Sequence, residues 1–276
     1  MISINTNYGG LYAANASRSS QALVDQAMER LSTGKRINYA KDDAAGQAIA
    51  VRLTAEIQGL AMASRNAADG QSLLDTAEGA LQETTSLLLR MRELAVQSSN
   101  GTLATSDRVA LQAEAAALEA EISRISDTTT WGGLKLLDGS LSTAGITFQA
   151  GATSGETITV SIPDMAATAA TISYSVGVSI GSFTSAQTAI TVIDAAISGV
   201  NTVRGSLGAA SNRLDSTIGN LNQIRVNLMA SKGRIMDADF ATETGNLAKG
   251  QILQQAATAM LAQANASKQQ VLTLIR

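Results

Sequence analysis

The sequence predicts a mainly α-helical protein: a long antiparallel coiled-coil bundle with paired terminal helices and a small β-hairpin insert. Apolar residues recur every seven positions in two long segments, and apolar helical stripes occupy both ends of the chain. Between the two segments the apolar period changes to two. Only 3% of the residues are aromatic although 45% are hydrophobic, and there is one Pro, which suits long, closely spaced helices.

The N-terminal segment carries an apolar stripe at the three- and four-residue spacing of a helix. Chain ends usually fray and are usually polar, so an apolar stripe here predicts a surface that another element covers. Gly34 interrupts the pattern and is a candidate joint to the next segment. The predicted stripe consists of Ile4, Tyr8, Leu11, Ala14, Val24, Met28 and Leu31.

The first long segment keeps a strict seven-residue repeat. Such a repeat predicts left-handed supercoiling against a partner helix. Two ordinary amphipathic helices on a globular core are the alternative, which the unbroken register disfavours. The turn at Asn100-Gly101 ends this segment. The repeat consists of Leu53, Leu60, Ala67, Leu74, Leu81, Leu88 and Ala95.

A shorter third helix follows, with Ser106 as its predicted N-cap. Gly132, Gly133 and Asp138-Gly139 then break the helical pattern. The buried face of the third helix is predicted to be Leu111, Ala115, Leu118, Ile122 and Ile125.

From Ile146 onward apolar and polar residues alternate, pause at "GATSGE", and alternate again through Ile158, Val160 and Ile162. This pattern predicts a β-hairpin. The region is rich in Ser, Thr and Gly, so a loose surface insert is the alternative.

The second long segment and the C-terminal stripe mirror the first half of the chain, with Gly233 as the matching joint. Such a sequence can fold back so that first pairs with last and long segment with long segment. We expect a terminal domain from residues 1–40 and 237–276, and a rod domain from 41–236 with its β insert at about 140–185. The repeat is Ile193, Val200, Leu207, Leu214, Leu221, Leu228 and Ile235, and the stripe is Leu253, Ala257, Met260, Ala264, Val271 and Leu274.

The composition argues against catalysis and against metal or cofactor binding. Without Cys or His there is no thiolate, no Ser-His or Cys-His pair and no usual zinc ligand. No Gly-rich phosphate loop is present. The carboxylates Asp42, Asp43, Asp237 and Asp239 are predicted to cap helices. We therefore expect no enzyme activity, cofactor or metal.

The net charge of −3 and pI of about 5.1 give no basic stripe for nucleic acid. There is no secretory signal and no apolar run of about 18 residues or more, so no membrane insertion is expected. On these features alone the protein would be cytoplasmic.

Several blocks carry a family resemblance. "ERLSTGKRINYAKDDAAGQAIA" at 29–50 closely resembles the N-terminal signature of bacterial flagellins, and "LLRMRELAVQSSNGT" with "LQAE" matches their next block. "KLLDG" precedes the hairpin in that family too. "SKGRIMDADFATETGNLAKGQILQQAATAMLAQAN" resembles the flagellin C-terminus. Only about fifty residues separate "KLLDG" from the second long segment, so the chain resembles a short form without the outer variable domains.

The resemblance implies a structural subunit of the flagellar filament that serves motility, with the terminal stripes as its assembly core. It implies export through the flagellar type III apparatus without a cleaved signal, which overrules the cytoplasmic expectation. The implied partners are copies of itself, an export chaperone, cap and junction proteins, and host innate immune receptors. A hook–filament junction protein or a secreted coiled-coil binding module is the alternative.

The resemblance also identifies candidate recognition residues. Arg90, Leu94 and Glu114 match positions at which flagellins are recognised by an animal Toll-like receptor. Asp43 and Gly46 lie in the segment that matches the one recognised by a plant receptor kinase. Leu94 also belongs to the widened apolar stripe of the first long segment, so a core role is the alternative for it.

Overall fold

The computed structural model describes residues 6–166 and 178–274, with side chains up to residue 270. The described residues are mainly helical, as predicted, with short strands between the third and fourth helices. In chain order the elements are α1 (Tyr8–Thr33), α2 (Ala44–Ser98), α3 (Thr105–Thr128), β1 (Thr130–Trp131), β2 (Leu134–Lys135), β3 (Ile146–Gln149), β4 (Thr157–Val160), α4 (Phe183–Met236) and α5 (Phe240–Leu274).

The chain divides into two compact units. Residues 1–57 and 226–276 form one, which we call the terminal unit, and residues 58–225 form the other, the central unit. The domain limits expected from the sequence, at residues 40 and 237, follow helix boundaries and stay a prediction.

The core of the central unit contains the predicted heptad positions of both long helices. Every heptad residue from Leu60 to Ala95 and from Ile193 to Leu221 is buried. Leu53, Leu228 and Ile235, which lie outside this unit, are only half-buried. The seven-residue repeat therefore predicted the buried face of α2 and α4 correctly.

Ion pairs between α2 and α4 show the direction in which these helices run. Arg204 contacts Glu78 at 2.8 Å, and Arg92 contacts Asp194 at 2.6 Å. Residue numbers rise along one helix while they fall along the other, so the pair is antiparallel, as predicted. Because these side chains are substantially exposed, we attribute the stability of the pair to its apolar core rather than to the ion pairs.

The start of α3 differs from the prediction. The helix begins at Thr105 with Ala104 at the N-cap, so Ser106 lies inside the first turn and the predicted cap is wrong. The carboxylate of Asp107 instead reaches back and accepts a hydrogen bond from the backbone N–H of Ala104 at 3.2 Å. A carboxylate in the first turn also interacts favourably with the positive end of the helix dipole.

A first small hairpin, which the sequence analysis did not predict, joins β1 to β2. Thr130 pairs with Lys135 and Trp131 with Leu134 across a two-residue loop. Gly132 and Gly133 both have positive φ, 59° and 85°. A two-residue hairpin loop of this kind requires positive φ at both positions, which glycine adopts without strain.

The predicted second hairpin is present. β3 and β4 are antiparallel, and their register places Ile146 opposite Val160 and Phe148 opposite Ile158. The apolar side chains of β4 face the core of the central unit, where Ile158 and Val160 are buried. The alternative of a loose surface insert is therefore wrong for this stretch.

The two joints of the terminal unit differ. Gly34 follows α1 with φ 69°, so it ends that helix in the left-handed conformation that favours glycine. Gly233 is no joint, because α4 continues through it to Met236. A Cβ at Gly233 would lie 2.8 Å from a carboxylate oxygen of Asp237, an exposed side chain that can move away.

The joint in the second half of the chain lies at residues 237–239 instead. The two linkers pair there as a short antiparallel bridge between Lys35 and Asp237. The N–H of Ala238 donates to the carbonyl oxygen of Gly34 at 3.0 Å.

Two of the four carboxylates predicted to cap helices do so. Asp43 accepts from the N–H of Gly46 at 2.9 Å in the first turn of α2, and Asp239 accepts from the N–H of Ala241 at 2.9 Å in the first turn of α5. The Thr242 hydroxyl and the backbone N–H groups of Ala241 and Thr242 lower the pKa of Asp239. Asp42 instead accepts from the N–H groups of Asn38 and Tyr39 in the linker.

No group of three or more carboxylates within residues 6–166 and 178–274 is placed to hold a metal ion. In the same part of the chain no helix combines the length and apolarity needed to cross a bilayer.

Candidate assembly surface

α1 and α5 pack against each other in the terminal unit, and local sequence fixes the start of α1. Asn7 caps it by accepting from the N–H of Gly10 at 3.0 Å. The amide nitrogen of the same side chain donates to the amide oxygen of Asn265 on α5 at 3.2 Å. A Cβ at Gly10 would lie 2.8 Å from Asn7, so a small residue is needed beneath this cap.

Small side chains fill the contact between α1 and α5. Apart from Gly10, the buried residues of both helices recur every seven positions. All of these except Glu243 are small, and we call this set the small-residue seam. Small residues allow helix backbones to approach closely, and Gly250 shows how closely: a Cβ there would lie 2.8 Å from Val24. The seam consists of Ala13, Ser20 and Ala27 on α1 and of Glu243, Gly250 and Ala257 on α5.

Polar pairs link the two helices along the seam. Besides the pair between Asn7 and Asn265, the amide nitrogen of Gln254 donates to the amide oxygen of Gln21 at 2.6 Å. Directional hydrogen bonds between fixed positions favour one register over its neighbours, which a contact between small apolar residues does not do by itself.

The third polar pair is ionic and largely buried. Arg30 Nη1 lies 2.6 Å from Glu243 Oε1, and the side chain of Glu243 is only 7% exposed. Asn246 donates to the other carboxylate oxygen at 2.7 Å. Burial raises the pKa of Glu243, but the hydrogen bonds from Asn246 and Arg30 together with the charge of Arg30 outweigh it, so the pKa lies below its ordinary value.

The bulky apolar side chains of the terminal helices lie outside this contact. Tyr12 is 81% exposed and Met260 is 63% exposed. Several large exposed apolar side chains on one helix pair indicate a candidate interaction surface. We call the following set the uncovered apolar face: Tyr8, Leu11, Tyr12 and Met28 on α1, and Ile252, Leu253 and Met260 on α5.

Part of this face forms a groove of about 560 Å³ between the two helices. Tyr12, Leu253 and Met260 line it, and Gly9, Ala13 and Ala257 are also among its lining residues. The groove is open along the helix pair, so a side chain from another molecule can enter it.

The assembly core predicted from the sequence is therefore divided between two environments. Ala257 belongs to the small-residue seam, whereas Tyr8, Leu11, Met28, Leu253 and Met260 are exposed. The partly buried members are Val24, Leu31 and Ala264. Ile4 and the side chains of Val271 and Leu274 lie outside the described residues.

Of the small-residue seam, the sequence predicted only Ala257. The predicted stripes consisted mainly of larger apolar residues, so the other small residues at helical spacing were not included. The available signal was the seven-residue recurrence of small residues at Ala13, Ser20 and Ala27. Glu243 gave no signal, because a buried carboxylate cannot be recognised before its partner is known.

The candidate recognition residues Asp43 and Gly46 lie together and have local structural roles. Asp43 caps α2 through the N–H of Gly46. A Cβ at Gly46 would lie 2.5 Å from a carboxylate oxygen of Asp43 and 2.7 Å from Ile37, which is buried. The fold alone thus accounts for a glycine at this position.

Of the other three candidates, the structure brings two together. Arg90 donates to Glu114 through Nε at 3.1 Å and through Nη2 at 2.8 Å, and both side chains are about half exposed. The hydrogen bonds that Arg90 donates to Glu114 and to Glu93 raise the pKa of Arg90. Leu94 is 1% exposed and belongs to the core of the central unit, so it presents no surface to a partner.

Comparison with known proteins places both halves of the chain in one family. Residues 4–142 match the model of the bacterial flagellin N-terminal helical region, and residues 190–275 match that of the bacterial flagellin C-terminal helical region. A flagellin of Halalkalibacterium halodurans is 47% identical over 269 residues, which cover 96% of this chain and 98% of that flagellin.

Longer relatives are also similar. Flagellin E of Vibrio cholerae is 35% identical over an alignment of 377 residues that covers 100% of this chain and 99% of that protein. The alignment is longer than the 276 residues of this chain, which agrees with a short form.

Two solved structures share this fold. The crystal structure of Bacillus cereus flagellin matches with a TM-score of 0.50 at 35% identity and covers 57% of this chain and 88% of that one. A putative flagellar hook-associated protein from Vibrio parahaemolyticus matches with a TM-score of 0.61 and covers 71% of this chain and 100% of that one. Its identity is 16%, so that likeness concerns the fold alone. With both helical regions matched in order, this chain belongs to the bacterial flagellin family.

Proposed function

We propose that this chain is the structural subunit that polymerises into the extracellular filament of the bacterial flagellum and so serves motility. The observation that carries the proposal is the division of the terminal unit. α1 and α5 pack through small residues, and their bulky apolar residues remain uncovered. The occupant of this uncovered apolar face is a second copy of the chain. The role is structural and not enzymatic.

The physical reason is the free energy of apolar burial. Each large side chain that is fully removed from water contributes about 1.5–3 kcal/mol. Seven such side chains on one helix pair supply a large driving force for association, even after the entropy lost on binding. Membership of the flagellin family identifies the partner as the same chain in a helical homopolymer.

Charge at the uncovered apolar face tests this role. Leu253→Asp places a carboxylate where a neighbouring subunit would bury it without a partner, which costs several kcal/mol. We expect no filament growth from added filament fragments, with the circular dichroism of the free subunit unchanged. Gln255→Asp adds the same charge at an exposed position of the same helix and serves as the control.

Filaments grown from Leu253→Asp at the wild-type yield would contradict the proposal. Failure of the wild-type protein to extend filament fragments would favour a hook–filament junction protein or a secreted coiled-coil binding module.

Further partners follow from the family resemblance and belong to the same proposal. The free chain is exported through the flagellar type III apparatus with the help of a chaperone, and cap and junction proteins contact the filament ends. Innate immune receptors of hosts are the other partner class. For the animal receptor, the exposed pair of Arg90 and Glu114 supports a contact, while the burial of Leu94 favours a structural role for that residue.

Receptor recognition should depend on the assembly state. We expect receptor signalling from free subunits and little from intact filaments, because neighbouring subunits cover the surface around Arg90. The measurement compares free subunits, obtained by shearing, with an equal mass of cross-linked filaments from which unassembled subunits have been removed. Equal signalling from the two samples would contradict this part of the proposal.

A further inference from the structure

The methionines differ sharply in accessibility. Met260 is 63% exposed, and Met62 is 47% exposed, whereas Met91 and Met165 are each 1% exposed. The chain contains no Cys. Thioethers are therefore its principal groups for two-electron oxidation by peroxides.

Among the described residues that line the groove between α1 and α5, Met260 is the one methionine. It lies in the apolar groove between α1 and α5 beside Tyr12 and Leu253. Met28 and Met229 are also exposed, but neither lines this groove. A chemical change at Met260 thus alters the surface through which the proposed function operates.

We propose that Met260 is a site of oxidative modification that controls entry of the free subunit into the filament. This inference rests on the proposed function. The Met260 sulfur attacks one oxygen of hydrogen peroxide, the O–O bond breaks, and water leaves after proton transfer. The sulfur is oxidised by two electrons to a sulfoxide, and the peroxide is reduced.

The product is unsuited to the groove. A sulfoxide carries a polar S–O group, whereas the groove lining is mainly apolar, with Ser20, Gln263 and Ser267 as the exceptions. Burial of an unpaired polar group is unfavourable, so the oxidised subunit binds a neighbour more weakly. Once a neighbour covers the groove, peroxide no longer reaches Met260. Binding of a neighbouring subunit therefore protects Met260 from oxidation, and earlier oxidation of Met260 weakens that binding.

The test compares variants before and after peroxide treatment. Because Met28 also belongs to the uncovered apolar face, Met28→Leu serves as the background. Free subunits with this background alone, with Met260→Leu added and with Met62→Leu added are treated with hydrogen peroxide, and sulfoxide at each methionine is measured by peptide mass spectrometry. Seeded filament growth is then followed. We expect oxidation to slow the background and the Met62→Leu variant about tenfold or more, and the Met260→Leu variant much less. Equal slowing of Met260→Leu would overturn the inference.

Two further measurements separate this inference from a general effect of oxidation. Met260→Gln places a permanent polar group in the groove, and we expect slow growth without peroxide at unchanged helicity. In preassembled filaments we expect Met260 to resist a peroxide dose that oxidises it in free subunits. Equal oxidation in both states, or wild-type growth of Met260→Gln, would overturn the inference. Growth of untreated wild type tests the proposed function separately.

Discussion

The central and terminal units bury different kinds of side chain. In the central unit, Leu74, Leu81 and Leu214 are almost fully buried, so the antiparallel contact of α2 and α4 is complete within one chain. In the terminal unit, the small-residue seam holds α1 and α5 together, and the large side chains of the uncovered apolar face are exposed. The comparison shows how one chain can contain a self-sufficient core and an incomplete one. The first supplies stability, and the second supplies the surface for polymerisation.

The largest expected contrast comes from the same substitution made in each unit. Leu81→Ala removes a fully buried side chain and should lower the free energy of unfolding by about 2–5 kcal/mol. Leu253→Ala removes a side chain that is 43% exposed and should change it by less than about 0.5 kcal/mol. Urea unfolding of the free subunit measures both. Comparable losses would mean that the terminal unit has a core of its own.

Gly250 tests the closeness of the small-residue seam. Gly250→Ala places a Cβ 2.8 Å from Val24, so overpacking should destabilise the α1/α5 pair by about 1–3 kcal/mol. Gly245→Ala is the control, because a Cβ there would meet no atom within 4 Å apart from its chain neighbours and the adjacent backbone of its own helix. There the lower backbone entropy of alanine should be slightly stabilising. Hydrogen exchange of α1 and α5 amides measures both, and opposite signs are expected.

Acid should weaken the terminal unit through Glu243. Its pKa is lowered in the folded chain, so the carboxylate stabilises the fold above its unfolded pKa of about 4.3, and this contribution is lost as the pH falls through the folded-state pKa. Hydrogen exchange of α5 followed from about pH 6 down to about pH 3 should show a steeper loss of protection for wild type than for Glu243→Gln. Parallel pH profiles would exclude this role of the ion pair.

The sequence was sufficient to predict much of the central unit, because the spacing of large apolar residues shows which face of a helix or strand is buried. A strict seven-residue repeat of Leu, Ile and Val has one buried face, whichever partner covers it. The hairpin of β3 and β4 followed from period-two alternation in the same way. The hairpin of β1 and β2 was missed because its strands have two residues each, too few to show a period.

For the candidate site, the sequence predicted the terminal helices. It did not predict which of their residues pack between α1 and α5 and which remain exposed. It predicted both terminal stripes and the caps Asp43 and Asp239, because these depend on local spacing. It wrongly placed a joint at Gly233, since a glycine inside a helix and a glycine that ends one look alike in a sequence. The backbone conformation distinguishes the two: Gly34 has positive φ and ends α1, whereas α4 continues through Gly233.

By itself, then, the sequence determined the helical order, the buried heptad face of the central unit, the absence of thiol and imidazole chemistry, and the resemblance to flagellins. Only the tertiary structure decided which face of α1 packs against which face of α5 within the chain. That choice depends on how closely two backbones approach and on pairs separated widely in sequence, such as Arg30 with Glu243. Because small residues permit that approach and the polar pairs favour one register, the bulky apolar residues are left for a neighbouring subunit.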